Sequence, residues 1–197
     1  MQLGPLATKR GHVQRDLVER AQQGDREAFG ELAGASTARL YNLAKLMLAD
    51  GDLAQDAVQE ALIQAWRYLK GLRDPDRFDS WLHRILVRCV YRVSGSERRQ
   101  VERRQLLQAH GLTVPDASGE LADRDEIDQC FRRLTTEHRA VLVVHHYLGL
   151  PDDEAARVLG VPPGTYKSRL HRATAAMRAE IEADARSNMH LRVGVSR

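Results

Sequence analysis

The sequence predicts an all-α protein of two helical domains joined by a flexible linker, the C-terminal domain being a helix-turn-helix. Three observations predict it. Apolar residues recur at helical spacing along most of the chain, and the period-two alternation of strands is nearly absent. The pattern fades between about Gln105 and Asp128, where Gly, Pro, Ser and acids replace the apolar stripe. Near the C-terminus, "DDEAARVLGVPPGTYKSRLHRA" sets a glycine and a double proline between two amphipathic runs.

Each element follows from local pattern. From Asp16, Leu17, Val18 and Ala21 fall on one face. "GDREAF" restarts a helix with Asp25 as its N-cap, because a short carboxylate accepts from the first unpaired N–H groups. Leu40, Leu43, Ala44 and Met47 make another stripe at i, i+3, i+4, i+7 spacing, and "ADGD" breaks it. The next helix is expected from about Leu53 to Leu69, with Ala54, Ala57, Val58, Ala61, Ala65 and Trp66 toward the core. "GLRDPDR" reads as a loop, and a helix starting near Phe78 carries Trp81, Leu82, Ile85, Leu86 and Cys89 inward. The expected boundaries are a first domain over 12–104, a linker over 105–127, a second domain over 128–185 and a tail over 186–197.

Charge is segregated along the chain. Lys plus Arg total 30 against 27 Asp plus Glu, a net charge of only +3. Yet residues 84 to 104 hold seven arginines and two glutamates, whereas residues 116 to 128 hold six acids and one arginine. Such basic surfaces suit a polyanionic partner. No apolar run reaches the eighteen residues of a membrane span, so no membrane insertion is expected. The N-terminus has no continuous apolar segment of a secretory signal, and the two cysteines stand far apart, so a cytoplasmic setting is expected.

Within the C-terminal module, the first helix is expected over Asp152 to Leu159, with Ala155, Val158 and Leu159 inward. Gly160 suits a tight turn because it adopts positive φ without steric cost. Pro163 fits the first turn of the second helix, where its missing N–H has no intrahelical partner to lose. Tyr166, Leu170, Ala173 and Met177 then form the inward stripe. Ser168 and His171 lie opposite, flanked by Thr165, Lys167 and Arg172, and no acid occurs from Gly160 to Ala179. A helix of this kind fits a DNA major groove, where Lys, Arg and Ser donors reach phosphates and base edges.

These residues carry a family resemblance. "GLPDDEAARVLGVPPGTYKSRLHRA" resembles the fourth region of bacterial extracytoplasmic-function (ECF) RNA polymerase sigma factors, whose helix-turn-helix reads the promoter −35 element. "DAVQEALIQAWRYL" resembles the second region, where a helix docks on the polymerase β′ subunit, and "RFDSWLHRILVR" the segment that opens and reads the −10 element. The resemblance spans about Asp16 to Glu182. It implies an alternative sigma factor that binds core polymerase (β′ and β) and promoter DNA, with an anti-sigma factor as a further partner. Carried over by position, Asp56, Gln59 and Glu60 fall at the core-polymerase contacts. Lys70, Arg73, Arg77, Arg84 and Arg88 fall in the −10 region, and Thr165, Lys167, Ser168, His171 and Arg172 in the −35 region. The acidic linker falls where the family threads the polymerase's channels. The chain departs from the pattern at Arg88 and Arg92, where many relatives carry Asn and Asp, and at Tyr166, where Val is usual.

No catalytic, metal or cofactor site is expected. His145 and His146 are adjacent and point to different sides of a helix, and no His, Cys or carboxylate cluster has ligand spacing. "GDREAFGELAG" has glycines without phosphate-loop spacing, and no motif frames Ser80 and His83 as nucleophile and base. The competing reading is a stand-alone helix-turn-helix regulator, which would bind duplex DNA without polymerase.

Overall fold

A computed structural model describes residues 5–109 and 126–194, with side chains placed for 13–95 and 127–186. Among the described residues there are eight α-helices and no strand. Four belong to the N-terminal part: α1 (Pro5–Gln22), α2 (Arg26–Leu48), α3 (Gly51–Tyr68) and α4 (Phe78–Ala109). Four follow: α5 (Glu126–Arg133), α6 (Thr136–Leu142), α7 (Asp152–Leu159) and α8 (Pro163–Gly194). The expected linker lies, over 110–125, outside the described residues, as do the side chains of the tail from 187 onward.

The N-terminal helices begin where short acids cap them. Asp25 accepts from the N–H groups of Glu27 (2.9 Å) and Ala28 (3.1 Å), and Arg20 reaches the same carboxylate at 2.7 Å. The Ala28 amide and then the arginine hold its carboxyl below the usual range. The helix ends at Ala49, in the left-handed region at φ 58°, and Asp50 caps α3 by accepting from Leu53 N–H at 2.8 Å. α3 therefore starts two residues earlier than periodicity predicted.

The inward stripes are as the apolar spacing requires. Leu40, Leu43, Ala44 and Met47 of α2, Ala54, Ala57, Val58, Ala61 and Ala65 of α3, and Phe78, Leu82, Ile85, Leu86 and Cys89 of α4 are buried together. The tryptophans are the exceptions: Trp81 is half-buried against this core, and Trp66 lies farther out. It stays 37% exposed, its ring tilted against Phe29 at a centroid distance of 5.0 Å. The buried alanines Ala54, Ala57, Ala61 and Ala65 let α3 pack closely on its neighbours, and the bulky indole is left at the rim.

The loop between α3 and α4 is pinned rather than loose. Two 3₁₀ turns, Leu69–Gly71 and Pro75–Arg77, shape it. Gln22 at the end of α1 donates its amide to the carbonyls of Leu69 (3.0 Å) and Leu72 (2.7 Å). Arg15 of α1 pairs with Asp76 at 2.9 Å. One helix thus holds both halves of the loop.

In the second group, Thr135 caps α6 by accepting from His138 N–H at 3.2 Å. α6 runs on into a π-helical stretch, Val143–Tyr147. α7 ends at Gly160, φ 68°, with Val161 N–H returning to the Ala156 carbonyl at 3.0 Å. α8 opens at Pro163. Tyr166 is fully buried, and its hydroxyl meets His145 Nδ1 at 2.8 Å. This bond ties the second helix of the helix-turn-helix to the π-helical stretch, and gives Tyr166 a polar partner that Val would lack.

The two groups pack on one another, α6 against α2 and α7 against α4. Arg139 of α6, 7% exposed, donates to the Met47 and Leu48 carbonyls of α2 at 2.7 and 3.1 Å. Ser94 and Thr136 hydroxyls meet at 3.0 Å.

Candidate polymerase and nucleic-acid interfaces

Three surfaces carry the residues singled out by sequence. The first is on α3. Asp56, Gln59 and Glu60 share one face at i, i+3, i+4 spacing; Asp56 and Gln59 are exposed and Glu60 is half-buried. Glu60 accepts from Gln64 at 2.9 Å and pairs with Arg92 of α4 at 3.1 Å. These two partners, Gln64 foremost, hold its carboxyl below the usual range. Arg92, one of the departures from the family pattern, thus stands beside an acid of the expected polymerase face.

The second surface is the α3–α4 loop and the start of α4. Lys70, Arg73, Arg77 and Arg88 are exposed and Arg84 is half-buried. Arg73, Arg77 and Arg84 line a common cavity of about 340 Å³ together with Trp81. Lys70 and Arg88 are not part of that lining. Arg77 also pairs with Asp74 at 3.4 Å. Phe78 is buried, its ring 6.0 Å from Trp81, so it serves packing. The far wall of the cavity is Glu154, Arg157 and Val158 of α7.

Buried polar atoms collect along α4. His83 Nε2 and Arg84 Nε are enclosed without a hydrogen-bond partner, and Tyr91 Oη is enclosed beside the Arg169 guanidinium. Burial pushes the His83 imidazole down to about 4, with Arg39 acting the same way and Asp79 and Glu154 opposing. Burial pushes the Tyr91 phenol up, with Arg169 of α8 nearby.

The third surface is the outer face of α8. Lys167, Ser168, His171 and Arg172 are exposed and Thr165 is half-buried, while Tyr166 and Ala173 face the core. Ser168 Oγ donates to the Thr165 carbonyl at 3.0 Å, and Arg172 Nε to the Ser168 carbonyl at 3.3 Å. These local bonds hold the side chains along the helix. Lys167 Nζ lies 3.9 Å from Asp152, a weak exposed pair. Among the described residues, no group of three or more His, Cys, Asp or Glu is placed to hold a metal ion. No described helix is long and apolar enough to cross a membrane.

Sequence reasoning missed three participants. Arg139 stands in an apolar run, "HRAVLVV", and the signal was a charge at an inward-facing position. Glu154 and Arg157 were given no role, and nothing local marks them as the wall of a cavity on the other domain.

A helix-turn-helix with a basic outer face, joined to a second helical module with its own arginine-lined surface, defines a two-module DNA-reading protein. Sigma-70 region 2 matches residues 33–100 and sigma-70 region 4 matches residues 124–177. The chain is 30% identical over 162 residues to the RNA polymerase sigma-E factor of Streptomyces avermitilis, covering 81% of this chain and 89% of that one. It is 33% identical over 161 residues to the ECF RNA polymerase sigma factor SigM of Mycobacterium tuberculosis, covering 81% and 80%. CnrH, solved in complex with the cytosolic domain of CnrY, superposes with a TM-score of 0.61 at 27% identity, over 87% of this chain and 99% of that one. The chain therefore belongs to the ECF RNA polymerase sigma factors. It is an alternative sigma factor, which binds core polymerase and promoter DNA and directs transcription initiation.

Proposed function

We propose that the three surfaces divide the work of initiation. Asp56, Gln59 and Glu60 dock α3 on the polymerase β′ subunit, the domain over 12–104 binds the melted −10 strand, and the domain over 128–185 anchors duplex DNA at −35. Lys70, Arg73, Arg77, Arg84 and Arg88 hold phosphates and the flanks of splayed bases. Thr165, Lys167, Ser168, His171 and Arg172 enter the −35 major groove. The observation that carries this division is the acid-free outer face of α8, exposed from Lys167 to Arg172, in a chain that also presents the α3 face.

The protein acts by binding, and polymerase carries the chemistry. Melting follows because the first domain binds single strand in preference to duplex, so binding energy offsets unpairing. The place of action is the cytoplasm. An anti-sigma factor is a further partner, in keeping with CnrH, which was solved in complex with the cytosolic domain of CnrY.

Run-off transcription with purified core polymerase on a library of promoter fragments tests the reading. Specific transcripts are expected only with the protein added. Duplex binding by the protein alone, with no effect on core polymerase, would favour the stand-alone regulator instead.

A further inference from the structure

We infer that Gln22 and Arg15 of α1 are positioning residues for the loop between α3 and α4: they hold it in one shape, so that the melted −10 strand meets Lys70, Arg73 and Arg77 already set. This rests on the proposed −10 role of those three cations and adds the residues that place them.

The loop is anchored at three residues, and each anchor stands one position before a cation. Gln22 donates its amide to the Leu69 carbonyl at 3.0 Å, and Lys70 follows. The same amide reaches the Leu72 carbonyl at 2.7 Å, and Arg73 follows. Arg15 pairs with Asp76 at 2.9 Å, and Arg77 follows. The side chains of Leu69 and Leu72 are buried, whereas Lys70, Arg73 and Arg77 are exposed. Fixing one residue fixes the direction in which the next leaves it, because the peptide between them is planar.

Both clamps come from one face of α1. Arg15 and Gln22 are two helical turns apart, so they project side by side. Glu19 lies between them, accepts from Arg15 Nε at 3.0 Å and aims its guanidinium. The loop's own bonds are short-range. Leu72 N–H meets the Leu69 carbonyl at 3.0 Å, Arg77 N–H the Asp74 carbonyl at 3.0 Å, and Asp76 N–H the Asp74 carboxylate at 3.1 Å. These bonds close each 3₁₀ turn without relating one turn to the other, and α1 does that.

The two clamps differ in weight. Gln22 is half-buried and bridges two main-chain carbonyls. The Arg15–Asp76 pair is exposed on both sides and contributes less. A preset loop binds a strand more tightly than a mobile one, because less conformational entropy is lost on contact.

Gln22→Met tests the clamp, since it keeps the reach of the side chain and removes the amide. Holoenzyme formed with core polymerase is titrated, at several salt concentrations, with a fluorescent single strand from the −10 region of a promoter found by run-off transcription. Gln22→Met should weaken strand binding several-fold with the salt slope unchanged, because no phosphate-contacting cation is removed. Arg15→Ala should weaken it less. Arg73→Ala should weaken binding and also lower the slope. In the free protein, hydrogen exchange at the Leu72 and Arg77 amides should quicken in Gln22→Met, while the α4 amides from Leu82 to Val90 keep their protection. Lost protection along α4 would make Gln22 a support of the fold alone and overturn the positioning role. Wild-type strand affinity in Gln22→Met, with Arg73→Ala impaired, overturns it as well. A Lys70→Ala/Arg73→Ala/Arg77→Ala variant that binds the strand like wild type would instead remove the −10 assignment beneath it.

Discussion

Arg139 Nε donates to the Met47 carbonyl across 2.7 Å, joining two residues 92 positions apart in sequence. A buried guanidinium is tolerated because four backbone carbonyls satisfy it in the plane of its fork. The same fork spans both domains, so one side chain completes the fold of the second domain and sets its position on the first.

Arg139→Met should therefore lower the unfolding free energy of the second domain by about 2–4 kcal/mol, since it removes a buried charged donor and leaves carbonyls unpaired. Arg139→Lys should recover only part of this, because an ammonium cannot span the same four oxygens. Urea unfolding followed by circular dichroism checks both. Equal stability of Met and wild type would show that the carbonyls are satisfied by other means.

On α8, Lys167→Ala and Arg172→Ala are expected to weaken −35 duplex binding. A base-edge contact should cost about 1–3 kcal/mol and relax sequence preference. A phosphate contact should weaken all sequences alike and lower the salt slope. Mobility shifts across several salt concentrations separate the two. Normal transcription by the double variant from a −35-dependent promoter would exclude this face.

On α3, charge reversal at Asp56 and Glu60 should abolish holoenzyme formation while leaving the helical circular-dichroism signal intact. Arg92→Ala is the informative companion. Arg92 pairs with Glu60 at 3.1 Å, so its loss frees the acid and should tighten core binding or leave it unchanged. A pull-down with core polymerase reads both variants. Weaker core binding by Arg92→Ala would place Arg92 itself in the contact.

His83 makes stability depend on pH. Its folded value of about 4 lies below the model-peptide value of 6.5. Above pH 6.5 both states are neutral and nothing is lost. As pH falls from 6.5 toward 4, the unfolded chain takes up a proton that the folded chain does not, so stability declines. The full effect is about 3 kcal/mol, at roughly 1.4 kcal/mol per pH unit. Arg39, Asp79 and Glu154 are the charged groups that act on it. Thermal unfolding between pH 7 and 4 should show this slope, flattened in His83→Gln. An unchanged slope would assign the acid sensitivity to carboxylates.

Much of the protein was legible in residue order because the signals are local. The Asp25 cap, the φ-positive Gly160, Pro163 at the start of α8 and the buried stripe from Leu40 to Met47 all depend on neighbours within a few residues. The exposed face from Lys167 to Arg172 follows from the same periodicity once Tyr166 and Ala173 face inward. Periodicity says which face turns inward, but not what it meets. It therefore placed Trp66 in the core, where the close packing of α3 leaves the ring at the rim. It gave no sign that Glu154, Arg157 and Val158 of α7 share a cavity with Arg84, and it passed over Arg139. The partners of Arg139 on α2 are main-chain carbonyls, which every residue possesses, so no side-chain pattern can announce them. Only the docking of α6 on α2 selects those carbonyls and buries Arg139, and only the docking of α7 on α4 brings Glu154 and Arg157 beside Arg84, because burial and pairing belong to the assembled surfaces rather than to either strip of sequence.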